Sequence, residues 1–360
     1  MFAIKVKFQI ILFKFNTSVE IYTNANFIMK IGVAYFANRI LRHVKADMQK
    51  LKRLGFDFVV HTFSEFDFQF HHHNLQDIVK VSQDCGLEVY LDSWGVGNFF
   101  GGEPFSDFVT KHYRDGCQVL ENGEPVFLAC PNSPAFQNYM IEWTQAAIAM
   151  NTTGIFWDEP HFNSPDYLKG IKGHWSCRCS FCQQKFHDLY HYDMPLIENE
   201  EVHTFKQNSL ASFIQQLGRL VKNAAMKNIL FLTANLPPQQ AEKDWQTFAQ
   251  MIEIDSLSTG YYWTFAGTKV EDTAAYALIL RELCEVSNKE PLYWIQNIKI
   301  ESGREKEIEL AIELVYTSGI RNFALWGFES GVHESWLACD NPQRAWRLTL
   351  KKFQQLKAQQ

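Results

Sequence analysis

Gly154-Ile155-Phe156-Trp157-Asp158-Glu159-Pro160-His161 is the stretch around which the rest of the chain is organised. Four small or apolar residues read as a buried strand, two adjacent carboxylates follow, and a proline ends the run. The acids therefore sit where a strand gives way to a loop. Side chains alternate along an extended chain, so one of Asp158 and Glu159 leads into a given cavity while its neighbour supports it. Glu159 is read as the leader. Taken alone, the pair would be a solvated strand end, and only the surrounding sequence argues for more.

From Met29 onward, β-rich runs alternate with amphipathic helical stretches eight times. Strands are expected at 31–36, 58–63, 88–92, 154–158, 229–234, 256–262, 292–296 and 323–328. Helices are expected at 41–54, 75–85, 135–150, 205–226, 241–252, 272–286, 305–317 and 343–356, where apolar residues recur at three- and four-residue spacing. Gly55, Gly86, Gly154 and Gly319 lie between a helix and the next strand, as helix-stopping residues do. Eight β-then-α units predict a closed (β/α)8 barrel, a TIM barrel, with function in the loops at the carboxyl ends of its strands. An open doubly wound sheet is the alternative, disfavoured because no G-x-G-x-x-G or phosphate loop opens a helix.

Residues 1–28 read as an N-terminal extension and 29–360 as a single barrel. Phe8 to Phe13 is apolar and flanked by Lys5, Lys7 and Lys14, but it is short and lacks a small-residue cleavage site, so a secretory signal is not expected. Met29 is the expected start of translation. The chain has 360 residues, a net charge of −6 and 46% hydrophobic residues. Its scattered Lys and Arg make no basic stripe, which argues against nucleic acid. The longest apolar runs fall short of the roughly 18 to 20 residues that span a membrane. Aromatics reach 15%, with 30 Phe, 13 Tyr and 10 Trp, enough for a thick core or for a cleft that stacks on flat ligands.

Two connections are long. The third runs from Ser93 through Gly95, Gly97, Gly101 and Gly102 into 118–127, a hairpin turning at Asn122-Gly123. The fourth runs from His161 to about Glu201 and holds His174-x2-Cys177-x-Cys179-x2-Cys182. Thiolates so close together suit one zinc, with Cys130 or His174 as fourth ligand. Four protein ligands would make it structural. Three of the eight cysteines crowding there favour metal binding in a reducing, cytoplasmic setting over a disulfide framework. No organic cofactor is expected.

Side chains at strand ends converge in a barrel, so residues there are grouped by strand. Strand two offers His61 and Glu65, strand three Asp92 and Trp94, and strand four Asp158, Glu159 and His161. Strand five offers Asn235, strand six Tyr261, Tyr262 and Trp263, strand seven Gln296 and Asn297, and strand eight Trp326 and Glu329. Carboxylates, amides and aromatic faces around one mouth suit a sugar, whose apolar face stacks on rings while its hydroxyls bind the polar groups. Glycoside hydrolysis needs one carboxylic acid to protonate the leaving oxygen and a second carboxylate as nucleophile or base. Glu159 suits the first role. The second falls to Asp158, Asp92 or Glu329, with Glu65 and Glu103 as outsiders. The rival reading is a carbohydrate-binding barrel without catalysis. A metal-dependent hydrolase is disfavoured because no His-rich ligand set with an open position appears.

With these residues assembled, the chain resembles the catalytic barrel of glycoside hydrolase family 42. Three segments carry the likeness: Cys130-Pro131-Asn132-Ser133-Pro134, Trp157-Asp158-Glu159, and Cys177-Arg178-Cys179-Ser180-Phe181-Cys182 followed by Phe186. It is strongest between about 87 and 190. The resemblance implies Glu159 as acid/base, and Cys130 with Cys177, Cys179 and Cys182 on a structural zinc. Asp158 stands where the family has Asn, and Tyr293-Trp294-Ile295-Gln296-Asn297 stands where it has its nucleophilic glutamate. The family's further domains are not expected in this chain. A divergent single-domain relative with a relocated second carboxylate is expected, and β-galactosidase activity is not carried over.

Overall fold

Strands whose inner face meets packed side chains and whose outer face meets helices have no solvent side, so they are apolar nearly throughout. Eight such strands form the centre of the computed structural model, which describes residues 28–36, 38–165, 171–234 and 236–359. In chain order the elements begin with β1 (Lys30–Tyr35), α1 (Leu41–Arg53), β2 (Phe58–Thr62), α2 (His72–Asp84), β3 (Glu88–Asp92) and α3 (Asp107–Lys111). Next come β4 (Cys117–Val119), β5 (Pro125–Ala129), α4 (Pro134–Ala149), β6 (Gly154–Trp157), α5 (Ser180–Tyr190) and α6 (Glu200–Asn223). The chain continues through β7 (Lys227–Phe231), α7 (Pro238–Ala249), β8 (Ser256–Thr259), α8 (Trp263–Ala266) and α9 (Thr273–Ser287). It ends with β9 (Glu290–Ile295), α10 (Lys306–Thr317), β10 (Asn322–Leu325) and α11 (Pro342–Lys357).

The order around the barrel is β1, β2, β3, β6, β7, β8, β9, β10, with β10 pairing parallel to β1 to close it. Closure settles the choice in favour of the (β/α)8 barrel over the open sheet. The two long connections leave β3 and β6 as expected. The β4–β5 hairpin turns at Asn122-Gly123, where Gly123 has φ +90° and Glu124 N donates to Asn122 Oδ1 at 2.9 Å. The expected extension lies outside the described residues except for Ile28.

Parity sorts the side chains. Ala34, Phe58, Val60, Tyr90, Phe156, Ile229, Phe231, Leu292, Trp294, Ala324 and Trp326 fill the barrel interior. Their strand neighbours, among them Tyr35, Leu91, Trp157, Leu230, Tyr293 and Leu325, join the layer beneath the helices. Gly32 is inward too, and a Cβ there would lie 1.9 Å from the Phe58 ring, so a side chain would displace the aromatic plug. Gly55, Gly86 and Gly319 end helices in the left-handed conformation as expected. Gly154 does not: Asn151, at φ +53°, follows α4, and Gly154 is already the first residue of β6.

Candidate functional site

Asp92 pairs in register with Phe156, an interior residue, and Asp158 lies two residues further along the same face. Both aspartates therefore point inward above the aromatic plug. Asp92 is wholly buried, and neither of its carboxylate oxygens has a hydrogen-bond partner. Burial holds its carboxyl well above the ordinary aspartate range, and the nearby Asp158, Glu103 and Glu159 push it the same way. Asp158 is 3% exposed and sits against Gly101, whose backbone N–H donates to Asp158 O at 2.8 Å. A Cβ on Gly101 would lie 2.5 Å from Asp158 Oδ2, so the loop after β3 must be glycine here for the carboxylate to fit.

Glu159 departs from strand geometry. Its φ is +43°, in the left-handed region that non-glycine residues seldom adopt. The chain turns at this residue, and Asp158 and Glu159 both act on the same two groups, Asp92 and Tyr262. Burial, then Glu159 and Asp158, raise the Tyr262 phenol well above its usual value, which keeps it uncharged. His161 closes the turn: Nδ1 lies 2.7 Å from Glu159 O, and its backbone N–H donates to Phe99 O at 3.1 Å. Glu334, in the loop after β10, extends the acidic field; burial and Glu103 raise its pKa while His333 lowers it.

Rings wall the mouth. Trp94 packs on Phe36 at 5.4 Å, Phe36 on Trp326 at 5.8 Å, and Trp326 edge-on to Trp294 at 4.9 Å. Tyr262, Phe265 and the exposed Trp336 continue the wall, with Lys299 Nζ 4.0 Å above the Trp336 ring. Phe36, Phe265, Trp336 and Glu334 were missed by sequence reasoning. Phe36 was findable, because it is two residues beyond the inward Ala34. The other three lie on loops, where no period marks direction.

Several expected site residues lie elsewhere. His61 has the outward parity of Tyr35 and Leu91; its Nε2 meets Ser82 Oγ of α2 at 2.9 Å, and burial takes its pKa down to about 3. It is an uncharged imidazole of the strand–helix layer. Glu65 is buried beneath the β3 loop, accepting from Gly97 N at 2.7 Å, Phe108 N at 2.8 Å and Ser106 Oγ, so it organises that loop. Burial outweighs these bonds and raises its pKa. Trp263 points away, its indole N–H donating to Glu307 Oε2 at 2.6 Å. Gln296 spends its amide on Thr264 and on Ile298 O at 3.0 Å, and Asn297 bonds Gly327 through both amide atoms. Tyr261 stacks on Tyr276 of α9. Glu329 is engaged by Lys50 of α1 and by His333. Asn235 lies outside the described residues.

The cysteine motif forms a second site at the base of the same two loops. Cys130 Sγ lies 3.4, 3.7 and 3.5 Å from the sulfurs of Cys182, Cys177 and Cys179, and all four residues are buried. Zinc–sulfur bonds of about 2.3 Å in a tetrahedron put sulfurs about 3.8 Å apart, so this donor set fits one zinc. Val119 N and Asn132 Nδ2 donate to Cys177 and Cys182 at 3.4 and 3.3 Å, the kind of surrounding that thiolates take. His174 is not the fourth ligand. It faces Glu121 of the hairpin, Nδ1 to Oε1 at 2.6 Å. Among the described residues these cysteines are the one grouping of His, Cys, Asp or Glu whose ligand atoms converge within 4.8 Å; the mouth carboxylates do not.

No family model matches the sequence, and no curated protein matches it. Solved structures do. The catalytic domain of beta-amylase from Paenibacillus polymyxa matches with a TM-score of 0.62 at 11% identity, over 90% of this chain and 98% of that one. The endo-1,4-beta-mannanase of Rhizomucor miehei matches at 0.58 and 9%, over 92% and 96%. A putative alpha-L-fucosidase from Bacteroides thetaiotaomicron matches at 0.53 and 9%, over 91% and 96%. At such identities the likeness is one of fold, the (β/α)8 barrel.

Proposed function

We propose that this chain is a glycoside hydrolase acting on an oligosaccharide or glycan, with its active site at the carboxyl end of the barrel. The observation that carries the reading is the meeting of carboxylates from two strand ends, Asp92 with Glu103 and Asp158 with Glu159, inside a ring of aromatic faces. The beta-amylase and the mannanase among the structural neighbours are sugar-cleaving enzymes by name, which supports it by analogy. Glu159, half-buried at the rim, is the general acid/base that protonates the leaving oxygen. Asp158 is the second carboxylate. Asp92 lies beneath them, where burial favours its neutral form over the carboxylate, and it serves as a positioning residue. Glu329 is left out because Lys50 already engages it.

Cys130, Cys177, Cys179 and Cys182 would hold a structural zinc. Bound there, with four protein ligands, it would fasten the two wall loops and offer no open position to substrate. All eight cysteines are free thiols, which supports a reducing cytoplasmic setting, and no helix among the described residues is long and apolar enough to cross a membrane. The likeness to family 42 would then be that of a divergent relative whose second carboxylate has moved from strand seven to strand four.

The test is hydrolysis of a panel of aryl glycosides and natural oligosaccharides by wild type, Glu159→Gln and Asp158→Asn, with folding checked by circular dichroism. Turnover that falls about 10²-fold or more in folded Glu159→Gln supports the assignment. A second reading, a binding barrel without catalysis, draws on one observation: Gln296, on the strand where the resembled family has its nucleophile, is wholly buried and bonded to Thr264. Sugar binding without turnover across the panel would establish it.

A further inference from the structure

On the side of β8, β9 and β10 the rim of the mouth holds a cation over an exposed indole. Lys299, in the loop after β9, has φ +51°, a left-handed conformation that a lysine keeps only where its surroundings enforce it. Here its N–H donates to Leu337 O at 2.9 Å, and its carbonyl accepts from Thr264 Oγ1 at 3.2 Å. The neighbouring carbonyl of Ile298 accepts from Gln296 Nε2 at 3.0 Å. Loops after neighbouring strands thus lock the turn, and the side chain that leaves it sets Nζ 4.0 Å above the Trp336 ring. Trp336 directly precedes Leu337, so the bond that fixes the lysine backbone also anchors the indole.

Two independent features of this pair point to a ligand. The first is the unspent ammonium. Lys299 is half-buried, yet among the described residues no carboxylate pairs with it and its Nζ donors meet no acceptor, the indole face aside. Lysines of similar or deeper burial are engaged: Lys289 donates to Met251 O and Ile254 O at 2.6 and 2.7 Å, and Lys206 meets Glu198 at 2.6 Å. The second is the path from the mouth. Tyr262, which Glu159 and Asp158 both act on, packs on Phe265 at 6.2 Å, and Phe265 packs on Trp336 at 6.0 Å. Trp336 is 53% exposed, so a glycan held at the carboxylates and running out past Tyr262 comes to lie on it. A neutral sugar there accepts a hydrogen bond but leaves the charge unpaired. A free anion pairs the charge but leaves the indole uncovered. A sugar ring that carries an anionic group does both.

We propose that Lys299 and Trp336 form an outer subsite for an anionic sugar unit, whose ring stacks on the indole and turns a carboxylate or sulfate toward Nζ. The inference rests on reading the mouth as a carbohydrate site and adds that its glycan is acidic, with the charge outside the bond that is cleaved. Esterifying the acid would keep the ring and remove the charge. Trp336 would then hold the unit without help from Lys299.

The test is calorimetric titration of the full chain with short oligomers of galacturonic acid, of glucuronic acid and of sulfated galactose. Each is compared with its uncharged counterpart, the methyl ester or the unsulfated oligomer. At least one acidic oligomer should bind about tenfold or more tightly than its counterpart and lose most of that advantage at high salt. Which oligomer does so tells a carboxylate ligand from a sulfate. Lys299→Gln keeps hydrogen-bonding capacity and removes the charge, so it should bring the acidic oligomer down to the level of its counterpart. Trp336→Ala should weaken acidic and neutral members alike by several-fold. Circular dichroism checks that both variants fold. Equal, weaker or absent binding of the acidic oligomers overturns the proposal, and so does an advantage that survives Lys299→Gln. Hydrolysis is scored separately. Turnover of neutral oligomers without acidic preference keeps the hydrolase reading and overturns this one, whereas an acidic preference that depends on Lys299, without turnover, does the reverse.

Discussion

Two clusters of like groups are built from the same pair of loops, and they solve opposite problems. At the base, the sulfurs of Cys177, Cys179 and Cys182 lie 3.4–3.7 Å from that of Cys130, and Cys177 and Cys182 receive N–H donors from Val119 and Asn132. At the mouth, carboxylates crowd without converging, and Asp92 receives no donor at all. The first arrangement would be complete with a dication, and we read it as a fastening. The second leaves the two Asp92 oxygens without a donor among the described residues, so we read it as a place for a guest. The fastening holds the walls against which the guest must fit.

The largest effect should come from undoing the fastening. Cys130→Ser, or chelation of the purified chain, should abolish a stoichiometry of one zinc per chain and lower stability by about 4 kcal/mol or more, the value for a ligand present at a thousandfold excess over its dissociation constant. Metal analysis and thermal melts measure it. A protein that arrives metal-free and melts as the Cys130→Ser variant does would break the comparison, because the sulfurs would then be four packed thiols. Next comes Glu159→Gln, whose loss of about 10²-fold in turnover corresponds to roughly 2.7 kcal/mol of transition-state stabilisation. It should leave zinc content untouched, separating the two clusters.

Asp92→Asn should move stability the other way. The folded-state pKa of Asp92 lies above its unfolded value, so the unfolded chain ionises first as pH rises. Stability from this group is full below the unfolded aspartate pKa of about 3.9 and declines upward from there toward the folded pKa. Asparagine removes that slope. The variant should melt a few degrees higher than wild type near neutral pH and show no such gain below about pH 4. A lower melting point at neutral pH would mean that Asp92 has a donor in solution and that the mouth is less open to a guest than its geometry indicates.

The same division explains what was legible in the sequence. Strands buried on both faces and helices with one apolar face write their period into the chain, so the barrel and its closure could be read from 31–36 through 323–328. The cysteine site could be read because its ligands lie close in sequence. The mouth was half legible. Asp92 and Asp158 follow inward parity, whereas His61 carries outward parity and was grouped with them because it ends a strand. Glu65 looked like a site acid, but three donors from the β3 loop enclose it, and they lie 32 to 43 residues away. Glu159 reaches the mouth through a left-handed turn, and nothing in Trp-Asp-Glu-Pro announces that φ.

Glu329 offers the finest distinction, because it too is a carboxylate just past a strand end with positive φ, here +49°. Glu329 shares the left-handed backbone of Glu159, yet its side chain meets Lys50 and His333 and is 25% exposed. Its charge acts on Tyr35, on the outward face of β1. Half-exposed ion pairs are worth about 0–1 kcal/mol, so Glu329→Gln should change stability by less than that and turnover by less than about twofold. Steady-state rates on the best substrate of the panel, beside those of Glu159→Gln, decide the matter. A loss comparable to that of Glu159→Gln would move the second carboxylate from strand four to strand eight and, with it, the axis along which the glycosidic bond lies across the mouth.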